Sequence, residues 1–178
     1  KQLFYYDSVT APTHRKGRYF FTRKHHDKEK SVVYWKQGEK GDEKVLLDPN
    51  TWSPDLSTGL KGTLTSWDGK YIAYMVSEHN SDESVAKIKE VATGKDLPDI
   101  IPGTKYGVTS WNPTNTGFYY TWVPPISDKV TIAARPGFAE VRFHKLGDDP
   151  TKDTVIHPAT GDAKTFIGGG VSKDGHWL

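Results

Sequence analysis

Seven histidines, several serines and a handful of adjacent carboxylates are the groups in this 178-residue chain that could do chemistry. There is no cysteine, which excludes disulfides, thiolate catalysis and Cys-ligated zinc. A serine nucleophile on a strand-to-helix elbow needs Gly-x-Ser-x-Gly, because the turn lifts Oγ clear and aims backbone N–H groups at the oxyanion. The nearest phrase, Gly169-Gly170-Val171-Ser172-Lys173-Asp174, lacks the second glycine. His25-His26-Asp27 is adjacent, but neighbours on an extended segment point to opposite faces, so an exposed hairpin tip is expected there rather than a metal pair. His14, His79, His144, His157 and His176 are scattered, with no His-x-x-x-His spacing. Asp82-Glu83 and Asp148-Asp149 read as solvated turn residues. Gly168-Gly169-Gly170 is not followed by the Lys-Ser/Thr of a phosphate loop. The sequence therefore assigns no catalytic residue, no metal ligand and no cofactor.

The totals narrow the partners. Net charge is +2. Arg15, Lys16, Arg18, Arg23, Lys24, Lys28 and Lys30 gather early, but Asp27 and Glu29 interrupt them and no groove-reading helix accompanies them, so no nucleic-acid partner is expected. No apolar run approaches the roughly 20 residues needed to cross a bilayer as a helix, so no membrane partner is expected either. Lys1-Gln2 leads straight into a strand-like Leu3-Phe4-Tyr5-Tyr6 rather than a signal peptide. With the absence of cysteine this favours a cytoplasmic location over a periplasmic one.

The elements that would position any site are strands, and they recur. Ser66-Trp67-Asp68-Gly69-Lys70-Tyr71-Ile72-Ala73-Tyr74 reads as a tight turn running into a strand covered on both faces. The phrase returns as Lys16-Gly17-Arg18-Tyr19-Phe20-Phe21, as Ser110-Trp111-Asn112-Pro113 leading to Gly117-Phe118-Tyr119-Tyr120, and as Val171-Ser172-Lys173-Asp174-Gly175-His176-Trp177-Leu178. The glycines at 17, 69, 117 and 175 lie 52, 48 and 58 residues apart, close to the period of propeller blades. The expected fold is all-β: a partial β-propeller of four-stranded antiparallel blades, about three blades plus the start of a fourth, over residues 1–178. The repeats are placed at about 17–68, 69–116 and 117–174, with the next starting at 175–178. Residues 51–63 read as a connecting loop, and 123–138 as an enlarged tip in the third repeat. Trp67 and Trp111 hold matching positions and are expected to pack between blades. Too few blades are present to close a ring, so a fragment of a larger domain, or a piece completed by its own copy, is expected.

Several phrases carry a family resemblance. They are Val45-Leu46-Leu47-Asp48-Pro49-Asn50, the Ser66–Tyr74 phrase, Asn80-Ser81-Asp82-Glu83, Gly94-Lys95-Asp96-Leu97-Pro98-Asp99, the Ser110-Trp111 to Tyr120 phrase, and Gly168-Gly169-Gly170-Val171-Ser172-Lys173-Asp174-Gly175. In this order the chain resembles the propeller domain of the prolyl oligopeptidases (prolyl endopeptidases, S9 serine peptidases), over about the first three blades and the start of the fourth. The resemblance implies a non-catalytic lid. In that family an α/β-hydrolase domain carries the Ser-Asp-His triad, and the propeller admits only short peptides, cleaved after proline. That hydrolase half is absent from these residues and is the implied partner, with a second copy of the chain as the other candidate. The resemblance also puts Tyr119 at a position where the family places an aromatic near the substrate pocket. The alternative readings are a self-associating half-propeller and a protein-interaction module without a peptidase role.

Overall fold

The protein is described by a computed structural model covering residues 6–172 and 174–178. The strand-like opening at 3–5 and position 173 of the last repeated phrase lie outside the described residues.

Thirteen strands form three antiparallel sheets among the described residues. The first holds β1 (Ser8–Val9), β2 (Thr13–Arg15), β3 (Arg18–Lys24), β4 (Val32–Gln37) and β5 (Lys44–Leu47). β1 and β2 both pair with β3, so they are one edge lane broken at Ala11-Pro12, where proline has no N–H to offer the ladder. The second sheet runs β6 (Gly59–Thr65), β7 (Tyr71–Ser77), β8 (Val85–Glu90), β9 (Asp96–Ile101). The third runs β10 (Val108–Trp111), β11 (Gly117–Trp122), β12 (Glu140–Lys145), β13 (Thr154–His157). No α-helix occurs among the described residues; three short 3-10 turns do, at Pro49–Thr51, Arg135–Phe138 and Pro150–Lys152.

Two apolar layers hold the sheets together. β7 alternates, sending Ile72, Tyr74 and Val76 against Phe20, Val33, Trp35 and Leu47 of the first sheet. Its Ala73 and Met75, with Ile88 and Ile101, face Trp111, Phe118 and Tyr120 of the third. The strand is thus buried on both faces, as its aromatic and branched composition predicts. The stack is a partial β-propeller whose sheets do not close into a ring.

Side chains close the repeated turn, by His14 Nε2 accepting from Gly17 N (3.0 Å) in the first copy and by Ser, Asp or Asn in the other three. Ser66 Oγ accepts from Tyr71 N (3.0 Å) and donates to Asp68 Oδ1 (2.7 Å), which also accepts from Lys70 N (3.0 Å). Ser172, Asp174, His176 and Trp177 repeat those contacts. In the third sheet Asn112 takes the role, its Oδ1 accepting from Thr116 N and Gly117 N. Gly69 sits at φ +69, and a Cβ there would lie 2.9 Å from Arg15 O, so the position requires glycine twice over.

The sheets are out of step with the repeats read from the sequence. The glycine turn joins the first and second strands within a sheet, so each sheet begins one strand before it. The loop expected at 51–63 contains the start of β6, and β10 precedes Gly117 in the third sheet. After β13 the chain forms the Ser172 turn, and Val171 N donates to Ser110 Oγ (3.1 Å). No strand follows among the described residues, where the first strand of a fourth repeat was expected.

Candidate functional site

Tyr119 lies on β11, an interior strand between β10 and β12. Its neighbours Phe118 and Tyr120 face the second sheet, so Tyr119 faces the other way, on the lateral side of the third. It is half-buried, with its ring centroid 5.0 Å from that of Phe143, its partner in register on β12. Its hydroxyl has no hydrogen-bond partner among the described residues, while its backbone carbonyl accepts from Thr109 Oγ1 (3.1 Å).

On the opposite face of the same strand, Trp122 borders a cleft of ≈ 430 Å³ shared with Pro102, Pro125, Arg135 and Arg142. The Arg142 guanidinium stacks 3.7 Å above the Trp122 ring and pairs with Glu140 (2.6 Å). The enlarged tip at 123–138 is tied down here. Arg135 is buried, donates through both Nη atoms to the two Glu83 oxygens (Nη2 to Oε2 2.8 Å), and donates Nε to Pro124 O (3.1 Å). Glu83 therefore does more than decorate a solvated turn. Its carboxyl is held below the usual range, chiefly by the Arg135 hydrogen bonds.

A second polar cluster was not anticipated from the sequence. His144 belongs to a strand whose alternation reads Glu140, Arg142 and His144 on one face, yet that face is not solvated: His144 is fully buried against the second sheet. Its Nε2 lies 2.9 Å from Asp99 Oδ1 on β9, and its Nδ1 lies 2.9 Å from Asp153 Oδ1. Tyr120 donates its hydroxyl to Asp153 Oδ2 (2.8 Å), and Gly147 N donates to Asp99 Oδ1 (2.6 Å). Burial works against charge on His144, but the two carboxylates outweigh it and raise its pKa above the ordinary histidine value. Burial, then the bond to Asp153, pushes the Tyr120 hydroxyl up as well. A signal for this cluster does exist in the repeat. One sheet earlier Tyr74 donates to Asp96 (2.8 Å) and Lys89 pairs with Asp96 (2.9 Å), at the lanes matching Tyr120, Asp153 and His144.

The other histidines separate as their spacing implies. His25 Nε2 meets the Tyr34 hydroxyl (2.9 Å), whereas His26 turns to Asp7 (3.2 Å). Trp111 is buried between the second and third sheets and donates Nε1 to Leu64 O (3.0 Å). Trp67, expected to pack likewise, is 38% exposed; it donates to Trp111 O (3.1 Å) and carries the Arg15 guanidinium 5.2 Å above its ring. Its place is at the rim of the seam, not within it.

The family model for the N-terminal β-propeller domain of prolyl oligopeptidases matches residues 1–178, the whole chain. The chain belongs to that family. Prolyl endopeptidase of Elizabethkingia miricola is 26% identical over 176 residues, covering 99% of this chain and 25% of the relative. A prolyl oligopeptidase of Omphalotus olearius is 29% identical over 140 residues, covering 72% of this chain and 18% of that one. A solved structure from work on two prolyl endopeptidases and their inter-domain dynamics superposes with a TM-score of 0.91 at 46% identity, over 97% of this chain and 25% of that one. Apo prolyl oligopeptidase B from Galerina marginata superposes at 0.76 with 26% identity, over 97% and 26% of the two chains. The present propeller segment therefore spans about a quarter of the length of the relatives it matches.

Proposed function

We propose that this chain is the substrate-admitting propeller portion of a prolyl oligopeptidase-type serine peptidase and has no catalytic group of its own. The observation that carries this reading is the family match over all 178 residues of a chain with no Gly-x-Ser-x-Gly elbow. In this reading the triad resides on an α/β-hydrolase domain, the chain's natural partner. The propeller acts sterically, excluding folded proteins and helping to orient a short proline-containing peptide over the nucleophile. In this reading, which rests on the resemblance, Tyr119 would contribute an apolar wall with a polar tip to the peptide's path.

The test begins with the chain alone and a proline-containing chromogenic peptide, for which no turnover is expected. Turnover that a serine-directed inhibitor abolishes would overturn the proposal. In the complete peptidase carrying this propeller, Tyr119→Phe is expected to raise KM and leave kcat in place. An unchanged KM would remove Tyr119 from the substrate path without touching the family assignment.

A further inference from the structure

We propose that Asp99, His144 and Asp153 form a proton-controlled latch between the second and third sheets, closed while the imidazole is doubly protonated and weakened when it is not. The reason is geometric. Asp99 belongs to the second sheet, and His144 and Asp153 belong to the third. Both ring nitrogens lie 2.9 Å from a carboxylate oxygen, so only an imidazolium donates to both. A neutral ring has one N–H, and its other nitrogen then turns a lone pair on a carboxylate at hydrogen-bond distance.

Water cannot easily repair that contact. The side chains of His144, Asp99 and Asp153 are 0%, 1% and 2% exposed. Nor are the carboxylates equally supported. Asp153 keeps the Tyr120 hydroxyl on its other oxygen, whereas Asp99 keeps the Gly147 amide on the oxygen that meets His144, and its Oδ2 is buried with no hydrogen-bond partner among the described residues. Loss of the proton leaves one of the two carboxylate contacts without its donor, in a site closed to water. The groups facing His144 are Asp99 from β9, Asp153 from the segment before β13, and Tyr120 and the Phe118 ring from β11. On its own strand Arg142 shares the face, already engaged by Glu140.

The sign follows from the raised pKa. Stability from the latch is complete below the unfolded-state histidine pKa and is lost as pH rises through the higher folded-state value. The second sheet carries Lys89 in the matching lane, paired with Asp96. That comparison supplies the control, His144→Lys.

The experiment uses this chain, titrated from about pH 5.5 to about pH 9.5, around the histidine range. Ring resonances of His144 give its midpoint, and the Gly147 amide, bonded to Asp99, reports the seam. The His144 midpoint is expected above the ordinary histidine value, with the Gly147 amide moving at the same pH. The melting midpoint should fall by about 3–5 °C per pH unit through that window. His144→Lys should abolish the fall. Asp99→Asn should lower the His144 midpoint and shrink the fall, which keeps the test decisive if the lysine variant does not fold. A ring that keeps one protonation state throughout would overturn the proposal, as would a Gly147 amide and melting midpoint indifferent to its titration.

Discussion

Arg135 holds the enlarged tip to the neighbouring sheet, and removing it makes a quantitative test of that anchor. Arg135→Ala deletes two charge-assisted bonds to Glu83 and one to Pro124 O. Charge-assisted bonds contribute about 1.5–3 kcal/mol each when both ends are buried. The ends here differ, with side-chain exposures of 4% for Arg135 and 45% for Glu83. The freed Glu83 recovers water, so the gross loss is discounted to about 2–3 kcal/mol. For a chain of this size that corresponds to a fall in melting temperature of about 4–12 °C. A double-mutant cycle with Glu83→Gln, measured by urea unfolding near neutral pH, should give a coupling of about 1–2 kcal/mol. Glu83 has its pKa lowered by Arg135, so the pair contributes above the unfolded carboxylate pKa and is lost as pH falls through the lower folded value. The coupling should therefore shrink on acidification below about pH 4.3. Limited proteolysis at Lys129 should quicken in parallel, because the tip loses its tether. Additive single mutants, within about 0.5 kcal/mol, would refute the claim that this pair anchors the tip.

Two further substitutions probe the layers. Ile88→Ala empties a position with no exposure between the second and third sheets, and a loss of about 2–5 kcal/mol is expected in chemical denaturation. A loss below about 1 kcal/mol would mean the seam collapses around the cavity. Gly117→Ala places a methyl 2.2 Å from His144 O and 2.6 Å from Phe143 Cζ. The phenyl can move but the backbone carbonyl cannot, so β11 and β12 are forced apart and about 1–3 kcal/mol of stability should go. An unchanged urea midpoint would contradict that geometry.

The turns and the doubly buried strand were legible because their signals are local. Ser66, Asp68 and Gly69 close a turn with their own side chains and backbone, and the run from Tyr71 to Val76 has the composition of a strand with no solvent face. β6 was illegible for the opposite reason. Its Gly59 and Gly62 resemble loop residues, yet Gly62 lies against the next strand, where a Cβ would stand 2.9 Å from the Met75 methyl, the movable end of a flexible side chain. That contact belongs to the next strand and leaves no trace in the sequence of its own segment. His144 was read on the correct face of its strand, but period-two alternation cannot say whether a polar face meets water or another sheet. Only the Tyr-Asp pairs at matching lanes of two sheets carried that information, and recognising them requires the correct phase of the repeat. Tyr119 entered through resemblance alone, since its composition and spacing match any strand aromatic.

The burial of β7 on both faces gives the stack an unequal grammar of unfolding. In a linear array each sheet is stabilised by itself and by its neighbours, and the central one has two. Opening the first or the third sheet severs one seam; opening the second severs both at once. Amide protons on β7 and β8 should therefore exchange only through collective opening, while β1, β2 and β13, lying at sheet edges, exchange by local fraying. Damage at either flank would be absorbed as partial peeling, whereas damage at the centre would propagate through the whole stack.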